Sequence, residues 1–187
     1  MIVFLRRLSL IMLAGIPLWL LLRRPWKRKP VIRELVLAAF VLFMAGLMIF
    51  TLEGDWDTPA AMLVSARTRL ATMDRIWLQP FNTIVKSFHN TELDAFLINI
   101  VGNIVMFMPW GFCLPLLWRK FRSVPVMIAM CLGLTLFIEC TQLFINRFVE
   151  TDDVILNFLG GVLGAAAWWC THRIWPSTDT FLAQQRS

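Results

Sequence analysis

From Ala95 to Trp118 the chain runs for 24 residues without a charge. A helix needs about 20 mostly apolar residues to cross the hydrocarbon of a bilayer, so this stretch alone is long enough. The rest of the chain points the same way. It is 58% hydrophobic and only 16% charged, where soluble domains run near half apolar and a quarter charged. Barrel-type alternation is absent. Helices are then the one element that satisfies its own backbone in lipid.

Five spanning candidates follow: Met1 to Leu22, Val31 to Leu52, Phe96 to Trp118, Val124 to Ile145 and Asp153 to Thr171. The expected fold is all-α, a polytopic transmembrane bundle of about five spanning helices. Its parts are an N-terminal membrane segment with a basic loop (1–30), a transmembrane domain (31–175) and a tail (176–187). The first segment has the charged start of a signal peptide. It lacks a small-residue cleavage pattern and is followed by Arg23, Arg24, Lys27, Arg28 and Lys29, which favours a retained helix.

The net charge of +6 is unevenly spread. The basic residues of 23–33 and the Arg119, Lys120 and Arg122 group fall on one side of a five-helix arrangement, and the positive-inside rule makes that side cytoplasmic. Arg6 and Arg7 oppose the outer N-terminus this implies. The pattern speaks for membrane orientation and not for nucleic acid, which calls for a basic face on a water-soluble fold. In the external stretch after "EGDWDTP", Met62, Ala66, Leu70 and Met73 share a helical face with Arg67 and Arg69 elsewhere. Such a helix either lies on the outer membrane surface or packs as an ordinary loop helix. Cys113, Cys131, Cys140 and Cys170 lie in apolar runs with no CxxC or Cys/His spacing, and read as packing residues. No cofactor or metal site is expected.

Polar residues recur at helical spacing inside the apolar runs. Asn99 and Asn103 stand four apart beside Gly102. Thr135, Glu139, Gln142 and Asn146 form a stripe, and Asp153 and Asn157 begin a face continued by Gly160, Gly161 and Gly164. Helices entering and leaving the outer side would put all of these at one depth. Unpaired amides or carboxylates facing lipid cost several kcal/mol, so the faces are expected to meet. Arg147 follows Glu139 by about two turns, placing it to reach Glu139 or Asp153, or to hold an anion. Each has a plain reading too: Asn99 and Asn103 as helix glue, the glycines as packing devices, Pro109 and Pro115 as kinks, Asp153 as a helix cap, Glu139 as a structural ion pair with Arg147. The binding candidates are Asn99, Asn103, Glu139, Gln142, Arg147, Asp153 and Asn157.

The segments "PFNTI" (80–84), "NIVGNIVMFMPWGFCLP" (99–115), "TLFIECTQ" (135–142) and "RFVETDDVILNFLGGVLG" (147–164) resemble the VanZ-like membrane proteins. Departures are modest: Thr135 stands where a serine is common, and Trp110 where an aliphatic residue is usual. The resemblance implies a multi-pass protein of the bacterial cytoplasmic membrane. It also implies an association with low-level resistance to teicoplanin, a lipid-bearing glycopeptide. Two function classes follow. One is a non-enzymatic factor binding an amphiphile, either a lipoglycopeptide or a cell-wall lipid precursor. The other is an intramembrane enzyme with Glu139 and Asp153 as its acid-base pair. Proton-coupled transport is a third, weakened because acidic groups sit only in the outer half.

Overall fold

The computed structural model of the chain describes residues 13, 15–22, 31–89 and 96–176. Most of the first predicted span and of the C-terminal tail lie outside these residues. Residues 15–22 are helical. Among the described residues, four helices are long and apolar enough to cross a membrane. They are α1 (Val31–Thr51), α4 (Asn103–Leu117, with a π-helical turn Leu97–Gly102 leading into it), α5 (Val124–Phe144) and α6 (Thr151–Ile174). Two shorter helices, α2 (Pro59–Thr72) and α3 (Asn82–His89), occupy the link between α1 and α4.

The distribution of side chains is that of a membrane bundle. Leu136, Phe137, Leu159 and Leu163 point outward, while Thr135, Glu139, Gln142 and Asn157 are buried. Apolar side chains lose nothing by facing acyl chains, whereas polar ones need partners inside the protein.

Helix α6 is the hub. A Cβ added to Gly160 would fall 2.2 Å from the Ile104 carbonyl oxygen, and one on Gly164 would fall 2.0 Å from that of Met108. Both contacts advance together along the two chains, so α4 and α6 run parallel. Gly111 contributes the reciprocal approach to Gly161. Small residues are what allow membrane helices to close to backbone contact, where dispersion replaces the missing hydrophobic force. On its other side α6 meets α5, with Gly161 against Cys131. The short connection between these two helices makes them antiparallel. Helix α1 packs on α4 through Phe40, whose ring lies 6.1 Å from those of Trp110 and Trp118. Trp110 Nε1 also donates to the Met130 carbonyl at 3.2 Å, linking α4 to α5.

At the end opposite the Arg119–Phe121 turn, the loops knit together. Two parallel two-residue strands pair β1 (Ile76–Trp77) with β2 (Val149–Glu150). Helix α5 ends with Asn146 in the left-handed region (φ 60°), and the Arg147 N–H returns to the Gln142 carbonyl at 3.0 Å. This is a Schellman closure with asparagine in place of glycine. It corrects the expected stripe: Asn146 has left the helix, and its Nδ2 donates to Asp55 Oδ2 at 3.1 Å.

Helix α2 starts conventionally. The Thr58 hydroxyl accepts from the Ala61 N–H at 3.3 Å and Pro59 opens the first turn. Ala66 and Arg69 face inward on this helix, while Leu70 and Met73 are exposed.

Candidate functional site

Register places the polar residues. Gly161 meets Cys131 across α5 and α6. One turn up each antiparallel helix pairs Asn157 with Thr135, and the next pairs Asp153 with Glu139. From α4, Asn103 Nδ2 donates to Asp153 Oδ1 at 2.9 Å and to the Asn99 carbonyl at 3.0 Å. From α5, Gln142 Nε2 donates to the Thr51 carbonyl at 2.9 Å, which brings in the end of α1. Asn103, Glu139, Gln142, Asp153 and Asn157 therefore lie within about two helical turns of one another along the bundle.

Asn99 behaves otherwise. Its side chain is exposed, and it is the backbone carbonyl that joins the network. The π-helical turn over Leu97–Gly102 is the reason. Its wider turn breaks the four-residue stacking on which a shared face with Asn103 depends.

Arg147 also departs from expectation. Beyond Asn146 it no longer follows the α5 face, and its Nη1 donates to the carbonyls of Phe50 (3.3 Å) and Glu53 (3.1 Å). It caps the carbonyl end of α1, where a cation complements the dipole. It remains within electrostatic reach of Glu139 and Asp153.

Glu139 is 4% exposed. Its Oε2 accepts the Glu150 N–H at 3.2 Å, so β2 roofs it. Its Oε1 has no hydrogen-bond partner among the described residues. The same holds for Thr135 Oγ1, Gln142 Oε1 and Asn157 Oδ1, all buried. Thr135 is distinctive among threonines in the spans. Thr51, Thr141 and Thr171 each donate to the carbonyl four residues back, whereas the Thr135 hydroxyl is left over.

Two residues outside the predicted set hold the site's cover. Asp152, 2% exposed, accepts from the Phe81 N–H (2.5 Å), the Thr83 N–H (2.7 Å) and the Ile84 N–H (3.0 Å). It thereby caps α3, while Thr83 Oγ1 donates to Glu150 Oε2 at 2.7 Å. Arg69, 3% exposed, donates through Nη1 to the carbonyls of Gln142 (3.2 Å) and Leu143 (2.5 Å), and through Nη2 to that of Arg147. It closes the carbonyl end of α5. Burial disfavours its charged form and Asp74 favours it. The sequence signal for Asp152 was the phrase "PFNTI" itself, a helix start needing an acceptor. For Arg69 it was a cation three residues from Ala66, on the face that turned inward.

The VanZ/LLP1 family profile matches residues 37–172, from the second turn of α1 to the last turn of α6. The chain belongs to the VanZ/LLP1 family. No curated protein and no solved structure matches it. Every residue of the polar site, and both Arg69 and Asp152, lies within the matched VanZ/LLP1 region. The chain is thus a VanZ-type protein with the helices of a membrane bundle.

Proposed function

We propose that this VanZ-type protein is a non-enzymatic factor of the bacterial cytoplasmic membrane. In this reading its polar site engages the head group of an amphiphile, contributing to low-level teicoplanin resistance or to the handling of cell-envelope lipids. The supporting observation is the set of buried oxygens without partners on Thr135, Glu139, Gln142 and Asn157. Buried polar groups in proteins are almost always hydrogen-bonded, and an unmade bond at such a position costs about 1–3 kcal/mol. A site that keeps several of them is suited to a partner arriving from outside the chain. Asn99, Asn103, Asp153 and Arg147 frame it and carry the positioning contacts.

The test is drug susceptibility. The gene is deleted and overexpressed, and the cells are challenged with teicoplanin and with vancomycin. The reading expects a change for the lipid-bearing drug alone, reduced by Glu139→Gln and Arg147→Ala. Equal responses to both drugs, or none, would count against it.

A second reading is favoured by one observation: the register sets two carboxylates, Glu139 and Asp153, opposite each other within the membrane helices. Such a pair is the arrangement of an acid-base enzyme acting on a lipid-linked substrate. Glu139→Gln separates the two. An acid-base role loses nearly all activity, and a binding role only part of it.

A further inference from the structure

The proposal above leaves the chemistry of the head group open, and the donor and acceptor inventory of the site narrows it. Gln142 is oriented by Thr51: a carbonyl takes only an N–H, so the amide nitrogen faces Thr51 and the amide oxygen faces inward. Asn103 uses its nitrogen on Asn99 and Asp153. Arg147 directs Nη1 to the carbonyls at the end of α1, and Arg69 directs its Nη groups to carbonyls of the α5 end and the adjoining turns. The amide nitrogens of Gln142 and Asn103, Arg147 Nη1 and the Arg69 Nη groups are thus engaged elsewhere. What is left inside the bundle is oxygen: Glu139 Oε1, Gln142 Oε1, Asn157 Oδ1 and Thr135 Oγ1, each on a side chain more than nine-tenths buried. An amide oxygen can only accept, and a carboxylate oxygen does so when ionised. Asp153 adds a second carboxyl group at the Glu139 level.

The geometry points to a site for a hydrogen-bond-donating cation, an amphiphile's primary ammonium group, seated between α5 and α6 against Glu139, Gln142, Asn157 and Thr135. An ammonium carries three donors and no acceptor, which complements four buried oxygens left without partners among the described residues, the Thr135 hydroxyl being able to donate as well as accept. A phosphate or carboxylate head group finds the opposite, oxygen facing oxygen. This inference rests on the amphiphile-site reading and specifies its ligand.

Three ten-carbon probes decide it: decylammonium, decyl phosphate and decanol. Each is titrated into the full-length protein in dodecyl maltoside micelles by calorimetry, with the heat from empty micelles subtracted. Decylammonium is expected to bind at least about tenfold more tightly than the other two. Glu139→Gln should weaken it by a similar factor. Thr135→Val is the decisive companion. The hydroxyl it deletes has no partner among the described residues, so the variant should fold with unchanged or higher Tm and yet bind decylammonium several-fold less tightly. A purely structural threonine would not separate those two readouts.

Decyl phosphate or decanol binding as tightly as decylammonium overturns the ammonium assignment and leaves the amphiphile reading standing. Decylammonium binding untouched by both Thr135→Val and Glu139→Gln places it elsewhere and also overturns the assignment. Failure of all three probes to bind overturns it as well. The amphiphile reading then stands or falls on the teicoplanin comparison.

Discussion

Asn103 on α4 and Asp153 on α6 are joined by a 2.9 Å hydrogen bond between Nδ2 and Oδ1, fifty positions apart in the chain and one level deep in the bundle. The bond fixes the register of two parallel helices at the height where Glu139 stands opposite. Replacing Asn103 with Leu should leave Asp153 without this donor and destabilise the protein by about 1 kcal/mol, the usual scale for interhelical bonds in membranes. Asn103→Asp should cost more, because it sets two carboxylates against each other. Unfolding in graded SDS with circular dichroism gives both values, and an Asn103→Asp variant as stable as wild type contradicts the contact.

Arg69 ties α2 to the end of α5 through the Gln142 and Leu143 carbonyls. Its removal leaves buried carbonyls open. Arg69→Ala is expected to lower stability by roughly 1.5–3 kcal/mol, the range for hydrogen bonds to charged groups. Arg69→Lys should recover only part of this, since a point ammonium cannot fork between several carbonyls. Thermal unfolding in detergent ranks the three proteins as wild type, Lys, Ala.

Asp152 accepts three main-chain N–H groups at the start of α3. Asp152→Ala should free that segment specifically. Hydrogen exchange at residues 81–84 should accelerate while the α4 and α6 cores keep their protection. Uniform acceleration over the whole chain would mean that Asp152 supports the bundle rather than the link.

Gly164 and Gly133 make a matched pair. A side chain at Gly164 meets the Met108 carbonyl oxygen at 2.0 Å, whereas nothing lies within 4 Å of a Cβ on Gly133. Gly164→Val should destabilise by at least about 1–3 kcal/mol through overpacking. Gly133→Ala should be neutral or stabilise by up to about 1 kcal/mol through helix propensity. Melting temperatures in one detergent compare them directly.

The spans of α1, α4, α5 and α6 were legible because hydrocarbon demands length and apolarity, and both are properties of a sequence window. The convergence of Asn103, Glu139, Gln142, Asp153 and Asn157 was legible for a related reason: periodicity and depth follow once helices are assumed. Asn99 escaped because the π-helical turn changes the period. Arg147 escaped because Asn146 takes the left-handed conformation and turns the chain out of α5 before it. Arg69 read as an outward charge because its partners are backbone carbonyls of a helix end more than 70 residues away. Main-chain acceptors leave no trace in residue identities. The partners of Asp152 were hidden in the same way, since they are amide hydrogens that every non-proline residue carries.

The glycine contacts of α4 and α6 also set how the bundle can move. Where Gly160 and Gly164 let carbonyl oxygens of the neighbouring helix approach to backbone distance, no flexible side chains lie between to absorb sliding or tilting. The two helices behave as one stiff slab. Any widening around Glu139 must then come from α5, which meets that slab through the longer Cys131 side chain at Gly161, or from α1, whose end is tied by the Gln142 amide at Thr51 and by Arg147 at Phe50 and Glu53. The ends of those two helices are the ones held by Arg69 and Arg147, so each guanidinium group ties a neighbouring segment to a helix outside the stiff pair.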